Sequence, residues 1–236
     1  MNPPVAIRDV VSLGVSCITA EFLRKYGLRL SAYPFDWLYC HPVMLIDCIN
    51  DRCKKLLDRT FYRGQPSDKQ CRHVVYDADL PIFAHHSPPT FFHHNPLNPK
   101  DYSHFIRSVS RLNHVLRKPG PKLFVMTYVN RSEAIDSATL SQLQALKHSL
   151  DSQTPNAYLM VINCLSGGTF AGKPSSVHST EIHNQSLIVI NLITSSVTAT
   201  QFNNPEDWTL YKAQLDQFFR FHLDLPPDVS KEMDPW

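Results

Sequence analysis

Three long apolar segments constrain the fold of this chain more than any other feature of its sequence. They cover residues 122–128, 157–164 and 187–193, and a shorter β-branched segment covers residues 8–13. Strands that are apolar without alternation are buried on both faces, which is typical of a parallel sheet covered by helices. Helical patterns lie between these segments, at residues 17–26, 42–57, 101–116, 137–150 and 208–223. The alternation predicts an α/β fold.

The predicted architecture is a single three-layer α/β domain over residues 1–225, with a mostly parallel central sheet of the Rossmann-like or SGNH-hydrolase-like kind. A chain of 236 residues favours one domain or at most two. Residues 60–100 are rich in Pro, His and Asp and form a long insertion, a kind of segment that is often functional. Residues 226–236 are expected to be a loosely held tail.

The composition excludes several classes of function. Only 7 residues are glycine, and neither GxGxxG nor GxxxxGK[ST] occurs, which argues against the usual dinucleotide and P-loop sites. A formal net charge of +2 is too small to predict nucleic-acid binding. The N-terminus lacks a signal-peptide pattern and no apolar run approaches the roughly 20 residues that span a bilayer, so we expect a cytoplasmic protein that binds no membrane. The 6 cysteines have irregular spacings without CxxC, which predicts free thiols and neither a zinc site nor another cofactor.

Cys17 is the first candidate catalytic residue. It follows a predicted strand and turn (SLGVSC) and opens a predicted helix. Free backbone N–H groups and the helix dipole at such a position favour a thiolate and can stabilise an oxyanion. The alternative interpretation is a buried structural cysteine at a strand–helix junction.

Histidine is in excess, with 12 residues in the chain. One histidine of the His/Pro-rich insertion could be the general base for Cys17, or several could bind a metal, although their spacing matches no known metal motif. The alternative is that most are solvated loop residues. Asp36, within the segment SAYPFDW, could orient the base as in a catalytic triad, or could bond nearby backbone N–H groups. Six histidines fall in one region of the chain: His85, His86, His93, His94, His104 and His114.

Arg107 and Arg111 lie one turn apart on the predicted helix 101–116 and therefore share a face. Two guanidinium groups on one face can hold a substrate carboxylate or phosphate. A surface or interdomain ion pair is the alternative interpretation.

The chain resembles a family described as "putative papain-like cysteine peptidases". The resemblance covers about residues 8–128, and its most specific part is the Gly-x-x-Cys motif ending at Cys17 followed by Pro-Phe-Asp-Trp at 34–37. It implies a Cys nucleophile and a His base, which carry over to Cys17 and to His94 or His93. The matching residues further along the chain are His73, Tyr76, the stretch 92–97, Asp101, Tyr102, Arg107, Arg111 and the stretch 123–125.

The function that we predict is a cysteine hydrolase, in which Cys17 attacks a carbonyl, His94 or His93 transfers the proton, and Asp36 orients the histidine. Arg107, Arg111, Trp37 and His73 are the predicted substrate-binding residues. The substrate would be a peptide, amide, ester or glycan, and no nucleic acid or membrane partner is expected. Two alternatives remain open at this point: a glycan-related transferase or carbohydrate-modifying enzyme, and a non-catalytic binding module.

Overall fold

The computed structural model describes residues 4–77 and 89–224, and it arranges the helices around a five-stranded central sheet. The helices and strands follow one another along the chain as β1 (Val5–Ile7), β2 (Asp9–Ser12), α1 (Cys17–Lys25), α2 (Pro42–Asp51), α3 (Lys54–Leu57), β3 (Tyr62–Arg63), β4 (Arg72–His73), α4 (Pro99–Arg117), β5 (Lys122–Arg131), α5 (Ser137–Gln153), β6 (Ala157–Leu165), β7 (Ser176–His183), β8 (Leu187–Ile193), β9 (Val197–Thr198), β10 (Gln201–Phe202), α6 (Glu206–Phe218) and β11 (Phe219–Phe221).

The central sheet has the strand order β2-β5-β6-β8-β7. Its first four strands are parallel, and β7 pairs antiparallel with β8 at one edge. The three long apolar segments are the inner strands β5, β6 and β8, so the prediction of a mostly parallel central sheet is confirmed. Parallel strands bring their carboxyl ends to one edge, where open α/β sheets usually bind ligands.

Successive residues of the inner strands point to opposite faces of the sheet, and each face has its own hydrophobic core. Val11 and Phe124 face a core that includes residues of α2, α4 and α5. Val10 and Leu123, their neighbours in sequence, face a second core that includes residues of α1 and α6. Helices therefore cover the sheet on both sides, as the unbroken apolar pattern of the strands predicts.

The predicted helix 42–57 is two helices in the structure. Helix α2 ends at Asp51, and both Arg52 and Cys53 have positive φ angles, of 59° and 61°. The backbone N–H of Lys55 donates to Asp51 Oδ2 at 2.8 Å, which stabilises the start of α3. The break turns Leu56 into the core on the α4 side of the sheet, where it is fully buried.

The predicted helix 208–223 also ends earlier than its apolar pattern suggests. Helix α6 stops at Phe218, and β11 pairs in parallel with β1. Aromatic residues favour strands wherever a partner strand is available, and that partner lies more than 200 residues away in sequence. The strand β7 was not predicted either, because nearly all of its residues are exposed and it lacks an apolar face.

The insertion at residues 60–100 contains a short hairpin of β3 and β4. His85, His86 and the tail at 226–236 lie outside the described residues. Within residues 4–77 and 89–224, none of the helices combines the length and the apolar character needed to span a membrane.

Candidate active site

A strained turn connects β2 to α1 and leads directly into Cys17. Gly14 and Val15 both have positive φ angles, of 75° and 72°. A positive φ is unusual for a β-branched residue such as valine, and strained backbone of this kind is concentrated at functional sites. The turn is fixed at Gly14, whose carbonyl accepts from the hydroxyl of Thr19 at 2.8 Å and from the backbone N–H of Thr127 at 3.4 Å. Cys17 is therefore held at the carboxyl end of β2.

Cys17 is the first residue of α1, as the sequence predicts, and its side chain is almost fully buried. Ser16 precedes the helix in an extended conformation and makes no side-chain cap, so the first N–H groups of α1 are left without this partner. The pKa of the Cys17 thiol is raised from 9.0 to about 11. Burial is the largest cause and the charge of Asp36 adds to it, while a backbone hydrogen bond partly lowers the pKa. At neutral pH the residue is therefore a thiol in this structure, because burial outweighs the helix N-terminus.

The segment 33–40 packs over the turn that holds Cys17. The backbone N–H of Cys40 donates to the carbonyl of Val15 at 3.4 Å. A Cβ atom at Gly14 would lie 2.8 Å from the carbonyl oxygen of Phe35, so the two backbones are in close contact.

Asp36 is completely buried in this segment and is paired with Arg29 rather than with a histidine. Its Oδ2 accepts from two nitrogens of Arg29, at 2.6 and 2.7 Å, and from the backbone N–H of Tyr33 at 3.0 Å. Burial raises the pKa of Asp36 from 3.8 to about 6, although the charge of Arg29 works in the opposite direction. Its Oδ1 is buried and has no hydrogen-bond partner among the described residues.

The two adjacent histidines of the insertion have different surroundings. The backbone N–H of Tyr39 donates to the carbonyl of Thr90 at 3.3 Å, which joins this part of the insertion to the segment 33–40. His93 lies edge-on to Trp37, with the ring centroids 6.2 Å apart. His94 has its Nδ1 3.6 Å from Asp101 Oδ1.

Asp101 is a site residue that the sequence interpretation missed as a partner for histidine. It lies in the first turn of α4, where an acidic residue is expected for helix stability alone. Its Oδ2 accepts from the backbone N–H of Asn95 at 2.8 Å, so the carboxylate also fixes the chain next to His94. The signal that could have found it is the position of His94 immediately before this helix.

Helix α4 presents His104, Arg107 and Arg111 at positions that share one face. The His104 ring stacks on that of His94, with centroids 5.4 Å apart. The pKa of His104 is lowered to about 4. Burial is the largest cause, and the charges of His94, Arg107 and Arg111 act in the same direction. Arg111 Nη1 donates to the carbonyl of Ala32 at 3.3 Å, which connects α4 to the segment that carries Asp36.

Three contacts connect predicted residues to the stretch around Asp36: Arg111 donates to Ala32, His93 lies edge-on to Trp37, and Cys40 donates to Val15, two residues before Cys17. The charge of Asp36 acts on Cys17 and the charge of Arg111 acts on Asp36, while Arg111 and His94 both act on His104. Within the described residues, no hydrogen bond joins Cys17 to His93 or His94.

His73 does not belong to this region as a ligand-binding residue. It is fully buried, its Nε2 donates to the carbonyl of Lys55 at 3.1 Å, and its Nδ1 accepts from the backbone N–H of Tyr76 at 3.4 Å. Both ring nitrogens are therefore used inside the fold. In the part of the chain that the structure describes, no group of three or more His, Cys, Asp or Glu side chains is arranged to hold a metal ion.

A comparison with protein families finds a match that covers the candidate site. A family model described as "Putative papain-like cysteine peptidase" matches residues 8–165, about two thirds of the chain. No curated protein and no solved structure matches the chain. The matched range contains every candidate site residue, from Cys17 to Arg111.

Proposed function

The chain belongs to the putative papain-like cysteine peptidase family, and from this premise we propose that it is a cysteine hydrolase with Cys17 as the nucleophile and His94 as the general base. The observation that carries the proposal is the placement of Cys17: it follows a strained turn at the carboxyl end of β2 and opens a helix whose first N–H groups lack a side-chain cap. These N–H groups are suitable donors to an oxyanion.

The contact between His94 and Asp101 supports the assignment of the base. A histidine whose Nδ1–H faces a carboxylate keeps Nε2 as the free acceptor, which is the tautomer that a general base needs. We assign to Asp101 the orienting role that the sequence suggested for Asp36. Asp36 instead holds the segment 33–40 in place through Arg29.

The proposed reaction is an acyl transfer through a thioester. The Cys17 sulfur attacks the carbonyl carbon while His94 takes the thiol proton, and the N–H groups of α1 stabilise the oxyanion. His94 then gives the proton to the leaving amine or alcohol, and a water molecule hydrolyses the thioester with His94 again as the base. Because the resting pKa of Cys17 is about 11, the proton leaves during the attack rather than before it.

The pH dependence of Cys17 alkylation tests this proposal. We expect the iodoacetamide rate at Cys17, followed by peptide mass spectrometry, to reach a plateau well below pH 11, where the unassisted thiol would ionise, because His94 removes the thiol proton during the attack. A screen of amide and ester substrates would identify a hydrolytic activity. The Cys17→Ala variant should lower that activity by at least about 10³-fold. The five other cysteines, all buried, are internal controls in the same sample.

One observation favours a second candidate function, a non-catalytic binding module: Cys17 is buried and its pKa is raised. A thiol that no base assists would react in proportion to its thiolate fraction. Its alkylation rate would then climb about tenfold for each pH unit, without a plateau, until about pH 11. That profile would overturn the hydrolase proposal.

Replacement of single histidines identifies the base. His94→Gln is expected to remove the plateau in the alkylation profile and to lower hydrolysis by about 10²- to 10⁴-fold, the usual contribution of a general base. His93→Gln is the matched control and should keep the plateau, since His93 has no carboxylate partner among the described residues and lies against Trp37. The reverse result would assign the base to His93.

A further inference from the structure

We propose that Arg107 and Arg111 bind an oxyanion of the substrate, so that the enzyme acts on amides or esters that carry a carboxylate or a phosphate close to the bond that is cleaved. This inference rests on the proposed hydrolase function and adds the class of substrate. The starting observation is the face of α4 that carries Arg111, which donates to the carbonyl of Ala32 next to the segment 33–40. On this face, positively charged side chains outnumber negatively charged ones.

The partners of the charged groups show this excess. Arg29 is neutralised by Asp36, which accepts both of its hydrogen bonds through one oxygen. Asp101 faces His94 and the backbone of Asn95. The charge of Asp36 acts on Arg111 and that of Asp101 acts on His104, and each of these carboxylates already has a partner.

The two remaining guanidinium groups lack an acidic partner. Arg111 is half-buried, and its hydrogen bond within the described residues goes to the uncharged carbonyl of Ala32. Arg107, one turn earlier on the same face, makes neither a hydrogen bond nor an ion pair in the described part of the chain. Guanidinium groups offer up to five donors in a planar fork that matches carboxylate and phosphate oxygens.

The electrostatic surroundings of Arg111 favour the binding of an anion. Burial lowers its pKa, and the like charge of Arg107 lowers it further. Two neighbouring cations that repel each other at a half-buried position are stabilised by an anion that bridges them.

The position of this pair relative to Cys17 defines what it would recognise. Arg111 donates to the carbonyl of Ala32 at 3.3 Å, and the backbone N–H of Cys40 donates to the carbonyl of Val15, two residues before Cys17. One short stretch of chain therefore contacts both Arg111 and the turn that holds the nucleophile. An oxyanion held there belongs to the part of the substrate next to the reacting carbonyl rather than to the carbonyl itself.

Alkylating reagents that differ only in charge test the inference. N-iodoacetyl-β-alanine carries a carboxylate, its carboxamide is neutral, and N-iodoacetyl-2-aminoethylphosphonate carries a phosphate-like group. We expect Cys17 to react with one or both acidic reagents on the order of tenfold faster than with the carboxamide, and the faster acidic reagent indicates the oxyanion. Millimolar inorganic phosphate should slow the acidic reagents.

Three variants locate the effect. Arg107→Gln, which removes no contact among the described residues, should abolish the preference for acidic reagents, and so should Arg111→Gln. Arg117→Gln, an exposed residue in the last turn of the same helix, is the matched control and should keep the preference. Arg111→Lys keeps the positive charge but lacks the planar guanidinium group, so this variant should keep only part of the preference for acidic reagents.

The outcomes separate this inference from the function on which it rests. A plateau in the pH profile together with equal rates for acidic and neutral reagents would overturn the oxyanion site and leave the hydrolase in place. An acidic preference that persists in both Arg107→Gln and Arg111→Gln would also overturn it. If none of the three reagents labels Cys17, the hydrolase proposal and the oxyanion site both fail.

Discussion

Replacement of Arg29 by methionine is expected to lower the free energy of unfolding by about 1.4 kcal/mol at pH 7, rising to about 3–5 kcal/mol near pH 9, the usual result of removing one partner of a buried ion pair. Asp36 is completely buried, and the side chain of Arg29 is 16% exposed. Without Arg29, the carboxylate keeps only the backbone N–H of Tyr33 among its described donors. Urea unfolding followed by fluorescence of the tryptophans measures the loss.

The pH dependence of this loss identifies Asp36 as its cause. The folded pKa of Asp36, about 6, lies above its ordinary value of 3.8, so the folded state binds this proton more tightly than the unfolded state. The stability that Asp36 contributes is therefore fully present below pH 3.8, and it is lost as the pH rises through about 6. In Arg29→Met the folded pKa is higher still, so the loss continues to higher pH.

The difference between wild type and Arg29→Met should accordingly be small near pH 4 and largest above about pH 7. A difference that is the same at every pH would contradict the assignment to Asp36. Arg24→Met is the matched control: Arg24 pairs with Glu21 at 2.6 Å, but its side chain is 61% exposed. We expect this variant to lose little stability at any pH, because solvent screens an exposed ion pair.

Adding Asp36→Asn to Arg29→Met separates the buried charge from lost packing. The double variant has no carboxylate left without a partner, and an Asn side-chain oxygen can still accept from the N–H of Tyr33. Its loss of stability at neutral pH should be smaller than that of Arg29→Met alone.

The elements that the sequence predicts well are those whose surroundings repeat along the chain. The strands β5, β6 and β8 are apolar on both faces because helices cover both faces. Helix α1 ends at Lys25, two residues before Gly27, whose φ of 66° suits the position just after a helix C-cap. The local sequence pattern does not predict strands that are held by pairing with a neighbouring strand. The strand β11 exists because β1 lies beside it, and the exposed strand β7 is held by its backbone pairing with β8.

The candidate site shows the same division. The position of Cys17 at the start of a helix follows from the local motif, and this prediction is confirmed. The partners of Asp36 and His94, Arg29 and Asp101, each lie seven residues away along the chain, and no periodic pattern predicts how the intervening loops bring them together. The raised pKa of Cys17 was also beyond local reasoning, because it comes from the burial of the thiol in the folded chain.

Replacement of Gly14 by alanine is expected to lower the free energy of unfolding by about 2–4 kcal/mol, since it adds a steric clash to backbone strain. The φ of 75° disfavours any residue with a Cβ atom, and this Cβ would lie 2.8 Å from the carbonyl oxygen of Phe35 and 3.3 Å from Cys40 Sγ. The closer of the two is a backbone atom, which cannot move away without the chain around it. The segment 33–40 must therefore move away from the turn before Cys17, and urea unfolding measures the cost.

Gly27→Ala is the matched control, because Gly27 also has a positive φ, of 66°, but nothing lies within 4 Å of the added Cβ. It should lose only about 1 kcal/mol, the cost of the left-handed backbone. The excess loss in Gly14→Ala measures how tightly the segment 33–40 is held against the turn. The same displacement should expose Cys17, so its iodoacetamide rate should rise in Gly14→Ala and stay unchanged in Gly27→Ala. Equal losses and equal rates in the two variants would show that the segment 33–40 is not what keeps Cys17 buried.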